Sequence, residues 1–184
     1  MNDARKFLID EFKTSSINKI KAILTYDGLK ASTLFPYRNG SLRNKFKELG
    51  IHGRITPYSL THKVIFIAKD ECTLDLIDDW FGQQIRLVSI RQEDRNELWN
   101  KEFYDVSYGI GILLGYPESS IQAYIGEKER SSKWKEERRT LMNIMPFVNS
   151  VDNYEEEKRL ALKWEKHIMK NYPLLYVDYL LDII

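Results

Sequence analysis

A single cysteine, Cys72, among 184 residues excludes an internal disulfide and any zinc site built from several thiolates. Histidine is equally scarce. His52, His62 and His167 are the three present, none has a second ligand at metal-binding spacing, and no H-E-x-x-H occurs. No metal and no cofactor is therefore expected. Long apolar runs are missing too: the longest uncharged stretches are twelve residues, short of the roughly 20 a membrane helix needs. Met1 to Leu24 alternates charges with hydrophobes, unlike a secretory leader. No G-x-S-x-G elbow and no G-K-S/T element is found. These absences leave no recognisable catalytic residue, and they point to a cytoplasmic chain that crosses no membrane.

Cys72 itself reads as inert. It stands at a predicted helix start, which favours a thiolate, but Asp70 and Glu71 beside it oppose one. His167, in Glu165-Lys-His167, reads as lying on a solvated helix face. Asp75, Asp78 and Asp79 fall around one helix, and Glu155 to Glu157 open another, where they suit the helix dipole.

What the chain does hold is 43% hydrophobic and 30% charged residues, ordinary for a globule of this size. We expect a single α+β domain over residues 1–184: a small sheet of about three strands flanked by helices, with a helical C-terminal half. Phe7, Leu8 and Phe12, then Ile17, Ile20, Ile23 and Leu24, recur at helical steps. Ser41 to Gly50 reads as a compact helix. Arg54 to Leu60 and Lys63 to Ala68 read as a hairpin, with Val64 to Ile67 continuous enough to be a central strand. Asp70 is placed as the cap of a helix from Glu71 to Phe81 that Gly82 closes, and Ile85 to Ile90 is read as the third strand. Helices are then expected from Glu93 to Gly115, Pro117 to Ile125, Ser132 to Met145, Asp152 to Asn171 and Pro173 to Ile184. Gly126 to Ser132 and Asn149 to Asn153 are the best loop candidates.

The net charge of +1 conceals an asymmetry. Residues 1–69 carry thirteen Lys/Arg against five Asp/Glu, and the remainder fifteen against twenty-two. The basic segment Arg38 to Lys69, with Arg38, Arg43, Lys45, Lys47 and Arg54, would attract a nucleic-acid backbone if its charges share one face. Otherwise the two halves neutralise each other in the fold. Lys128 to Arg139 also sets basic residues around Trp134, but its glutamates blunt that field.

Val106 to Pro117 is the most informative run: twelve residues, three of them glycine, and no charge. The glycines Gly109, Gly111 and Gly115 fall late in a helical pattern, not between a strand and a helix, so a phosphate loop is not expected. Gly111 and Gly115, four apart, suit close packing against a neighbour. Three functions stay open. One is a non-catalytic binding protein with a protein partner, or self-association through the apolar segment Pro173 to Ile184. The second is a small-ligand binder or enzyme with a pocket between Gly28–Phe35 and Tyr108–Pro117, using Lys30, Tyr108, Gly109 and Tyr116. The third is nucleic-acid binding through Arg38 to Lys69.

A set of short motifs, in order, resembles a bacterial family known only as a domain of unknown function. Gly28-Leu-Lys-Ala-Ser-Thr-Leu-Phe35 is similar to its G-[IL]-K-x-x-x-L-F segment, and Val64 to Ile67 to the hydrophobic strand that follows. Ser107 to Pro117 with Ile121 is similar to its H-E-I-G-x-[FL]-L-G-Y-P segment. Trp134-Lys135 matches its W-K pair and Glu155 to Lys158 its acidic helix start. The family's H-E pair is replaced here near Ser107-Tyr108, and its frequent cysteines before W-K are Ser131 and Ser132. The resemblance implies no activity, metal or acid–base pair.

Overall fold

The computed structural model describes residues 2–37, 42–57, 63–133, 147 and 149–183. The chain opens with helix α1 (Asp3–Lys6), which Asn2 caps by accepting from the Arg5 N–H at 3.0 Å, and widens into a π-helical turn over Phe7–Glu11. Helix α2 (Ser16–Tyr26) follows, then strand β1 (Ser32–Tyr37), helix α3 (Leu42–Glu48), and strands β2 (Gly53–Pro57) and β3 (Lys63–Ala68). Helices α4 (Glu71–Val88), α5 (Glu97–Leu113), α6 (Glu118–Ile125), α7 (Tyr154–Asn171) and α8 (Pro173–Asp182) complete the described elements, so the α+β class and the helical C-terminal half hold.

The sheet is antiparallel in the order β1-β3-β2. Strand β3 is central, as its unbroken apolar run predicted, because both of its faces are covered. Ile65 and Ile67 point into a core with Leu8, Phe12, Ile20, Ile23, Phe35, Phe46 and Trp164. Val64, Phe66 and Ala68 point into a second core with Leu74, Ile77, Phe81, Val106 and Ile110. The alternation of side chains along a strand thus separates the two cores. Helices α1, α2, α7 and α8 belong to the first, and α4 and α5 to the second.

Two element assignments need correcting. The third strand is Ser32–Tyr37, not Ile85 to Ile90. Its serine, threonine and proline weaken the apolar signal, yet Ser32 and Thr33 are buried and Pro36 is tolerated because β1 is an edge strand. Ile85 to Val88 instead continues α4 straight through Gly82, whose side is open space. Leu74, Ile77 and Phe81 hold one helical face, and Leu87 buries against the same core. Asp70 does cap α4, accepting from the Thr73 N–H at 2.7 Å. Helix α5 begins at Glu97, after a short 3-10 turn over Gln92–Asp94. The expected helix Ser132 to Met145 lies almost wholly outside the described residues. The two predicted loops meet: Arg130 and Ser150 form an isolated antiparallel bridge, and the Ser131 N–H donates to the Asn149 carbonyl at 2.8 Å.

Candidate functional site

Helix α5 ends in the glycine run. Gly115 adopts a left-handed φ of 71°, its N–H bonding the Ile112 carbonyl and that of Tyr116 the Gly111 carbonyl, the paired bonds of a Schellman turn. A Cβ on Gly115 would lie 3.2 Å from the Ala31 backbone nitrogen, and one on Gly111 would lie 2.7 Å from the Ile121 side chain. The two glycines therefore let β1's approach segment and α6 close on α5, the packing role expected of them. Gly109 does the same toward α4, its Cβ position 3.0 Å from the Trp80 ring.

That closeness brings Lys30 under the end of α5. The side chain is 3% exposed, and its Nζ donates to the Leu114 carbonyl at 2.9 Å. Ser32 Oγ donates to the neighbouring Leu113 carbonyl at 2.6 Å. One side chain just before β1 and one at its first residue thus satisfy the helix C-terminus, where carbonyls and the dipole favour a cation. The ammonium also lies 4.8 Å from the Tyr116 ring centroid and 4.7 Å from that of Trp164, both attractive to a cation. No carboxylate pairs with it among the described residues. Burial, and secondarily the charge of Lys21, pushes Lys30 down to about 7. Burial also pushes the Tyr116 hydroxyl up to about 12 and lowers Lys21.

The far side of the same turn is hollow. A cavity of about 510 Å³ is lined by Gly115 to Ser119, Gln122, Lys128, Asn153, Glu156, Glu157 and Leu160. It lies between the starts of α6 and α7. Tyr116 is the link, lining the cavity while its ring carries Lys30. Glu157 is 1% exposed and forms the cavity's fixed wall. Its carboxylate accepts from Ser119 Oγ at 2.6 Å, Asn149 Nδ2 at 3.1 Å, and the Ser150 N–H and Oγ at 3.0 and 2.9 Å. Those four bonds satisfy the buried carboxyl group and clamp three segments together.

The other residues singled out from sequence fall elsewhere. The Tyr108 hydroxyl donates to Glu118 Oε1 at 2.7 Å, which raises its pKa, and sits beside the cavity without lining it. Gly109 faces α4. In the basic segment, Arg38 lies outside the described residues, and Arg43 is placed by its backbone in α3. Lys45 approaches Glu48 at 3.9 Å, and Lys47 is exposed. Arg54 is enclosed by carboxylates on α4: Glu71 at 3.1 Å, Asp75 at 2.5 Å and Asp78 at 3.3 Å. That part of the basic excess is neutralised within the fold.

One cluster escaped the sequence reading. Asp27, at the end of α2, accepts from Arg5 Nη2 at 2.8 Å, His167 Nε2 at 2.7 Å and the Tyr172 hydroxyl at 2.7 Å. His167 is therefore not on a solvated face but packed toward α2. Burial alone would raise Asp27; the bonds from His167, Tyr172 and Arg5 outweigh it and hold the carboxyl below its usual range. The partners lie 22 to 145 residues away in sequence, so no local pattern announces them. Asn171 Nδ2 contacts the other ring nitrogen of His167 at 3.2 Å, and the ensemble ties α1, α2, α7 and α8 together. Among the described residues no cluster of histidine, cysteine and carboxylates has the arrangement of a metal site. No described helix is long and apolar enough to cross a membrane. Neither a protein-family model, a curated protein nor a solved structure matches the chain.

Proposed function

We propose that the protein binds a small polar ligand in the cavity between the starts of α6 and α7. The observation that carries this reading is the cavity itself, about 510 Å³ with Tyr116 in its wall and uncharged, acidic and basic groups around it. Ligand pockets are commonly about 300–1,000 Å³, with an apolar body and a few convergent polar groups. Buried Lys30 supports the reading by stiffening the turn that builds the wall: its bonds and ring contacts hold Leu114 and Tyr116 in place. The run that resembles the bacterial family, Ser107 to Pro117, is the run that forms this turn. We assign no reaction, metal or cofactor, and take the cytoplasm as the compartment on the strength of the lone Cys72.

The test is a ligand-observed NMR screen of small polar metabolites against the wild type and Gln122→Trp, which fills the cavity from the half-buried face of α6. Binding that the tryptophan abolishes while the melting temperature holds is the expected result. No binding, or binding indifferent to the tryptophan, would end the proposal.

A second reading, protein partnership, has its own observation. Helix α8 docks through Leu175 and Tyr179, yet Leu174, Val177 and Leu181 on its outer face are 80%, 50% and 66% exposed. A stripe of this kind suits a partner helix or a second copy of the chain.

A further inference from the structure

Resting on the reading of the cavity as a ligand site, we propose that its occupant is zwitterionic: a small molecule bearing a protonated amine and a carboxylate set apart by an intervening body, as in a short peptide free at both ends. Some of the groups in the wall are already satisfied. Glu157 is occupied by its four donors, and the Ser119 hydroxyl proton is one of them. What remains is charge of both signs that does not pair. Glu156 makes no ion pair among the described residues, and Glu118 accepts only the Tyr108 hydroxyl. Among the described residues Lys128 reaches no carboxylate; its Nζ makes one long contact, 3.3 Å, to the neutral Asn153 Oδ1. All of these line one cavity.

An ammonium with three donors and carboxylates with several acceptor sites are thus presented to the same space but held apart. A singly charged ligand would satisfy one sign and face the other unpaired. A molecule carrying both bridges them, its amine to Glu156 and Glu118 and its carboxylate to Lys128. Tyr116, Pro117 and Leu160 provide apolar surface for the body between the two ends.

Trialanine is the probe, titrated into the full-length chain by NMR beside its N-acetylated, C-amidated and doubly blocked forms. Removing a partner from a charge-assisted hydrogen bond is worth about tenfold or more in affinity. Blocking either end should therefore weaken binding by about tenfold. Glu156→Gln should reproduce the loss seen on acetylation and become insensitive to it, and Lys128→Met should do the same for amidation. Trialanine binding that ignores both blocks, or a singly charged molecule preferred over trialanine while Gln122→Trp still abolishes binding, overturns the zwitterion and leaves the cavity reading standing. Failure of every compound, of whatever charge, to bind overturns both.

Discussion

Lys30 carries its charge where charge is costly. Its relief comes from the carbonyl end of α5 and from two aromatic rings, and that relief is partial, since the group is pushed down to about 7 from an ordinary 10.5. The linkage has a definite sign. Below about 7 the lysine is charged in both folded and unfolded chains, and the full burial penalty is present. Between about 7 and 10.5 the unfolded chain holds the proton more tightly, so stability rises with pH. The ceiling on this rise is about 5 kcal/mol, at about 1.4 kcal/mol per pH unit, and water penetration will lower it. Tyr116 acts oppositely above pH 10: with its hydroxyl pushed up to about 12, the unfolded chain ionises first and stability falls. Melts of the wild type should improve from pH 7 toward pH 10 and then decline. Lys30→Met, which keeps the apolar stem and removes the titration, should flatten the rise and melt no lower than wild type at pH 7. An unchanged slope in the variant would mean that the buried ammonium is not its source.

At the scale of elements, the last helix is the clearest case of an anchor with an unused face. Burying side chains the size of Leu175 and Tyr179 contributes about 1.5–3 kcal/mol each before ordering costs. Asp182 adds a bond from the Ser16 N–H at 3.3 Å, and Tyr176 donates to Glu165 at 2.6 Å. Asp27 fastens the same corner through Tyr172 and His167. Deleting residues 173–184 should lower the melting temperature and expose the apolar surfaces of α2 and α7. Light scattering on the same samples separates the two uses of α8. A monomer before and after deletion confines its contacts to its own chain, whereas a dimer that becomes a monomer makes Leu174, Val177 and Leu181 an interface. A truncated chain as stable as the whole would refute docking.

Over the whole molecule, the charge segregation of the sequence does not persist as a basic face around Arg54. Strand β2 and helix α4 lie side by side, and α4 brings Glu71, Asp75 and Asp78 to the guanidinium. Thr56 also bonds Asp78, closing the seam. Nucleic-acid contacts release counterions, so true binding would fall steeply with salt. We expect no detectable binding to a short duplex or a single strand at 50 mM salt, measured by fluorescence anisotropy. Tight binding that weakens with salt would reinstate the basic segment as an interface.

Local chemistry decided a good part of this architecture. The short, β-branched Val64 to Ile67 run reads as a strand covered on both faces, and Asp70 stands where a cap accepts an N–H three residues on. The glycines of the Val106 to Pro117 run marked close approach because nothing larger fits there. Lys30 and Tyr116 were each visible as candidates. Tertiary structure alone decided that they share one contact, since a lysine buries its charge only where a distant helix end and rings from other elements receive it. It also decided that Ile85 to Val88 prolongs a helix, because a short apolar run satisfies either period until the core selects a face. The Asp27 cluster and the clamp around Glu157 had no sequence signal for the same reason: a buried carboxylate is satisfied by whichever donors the fold delivers, and those donors come from separate segments of the chain.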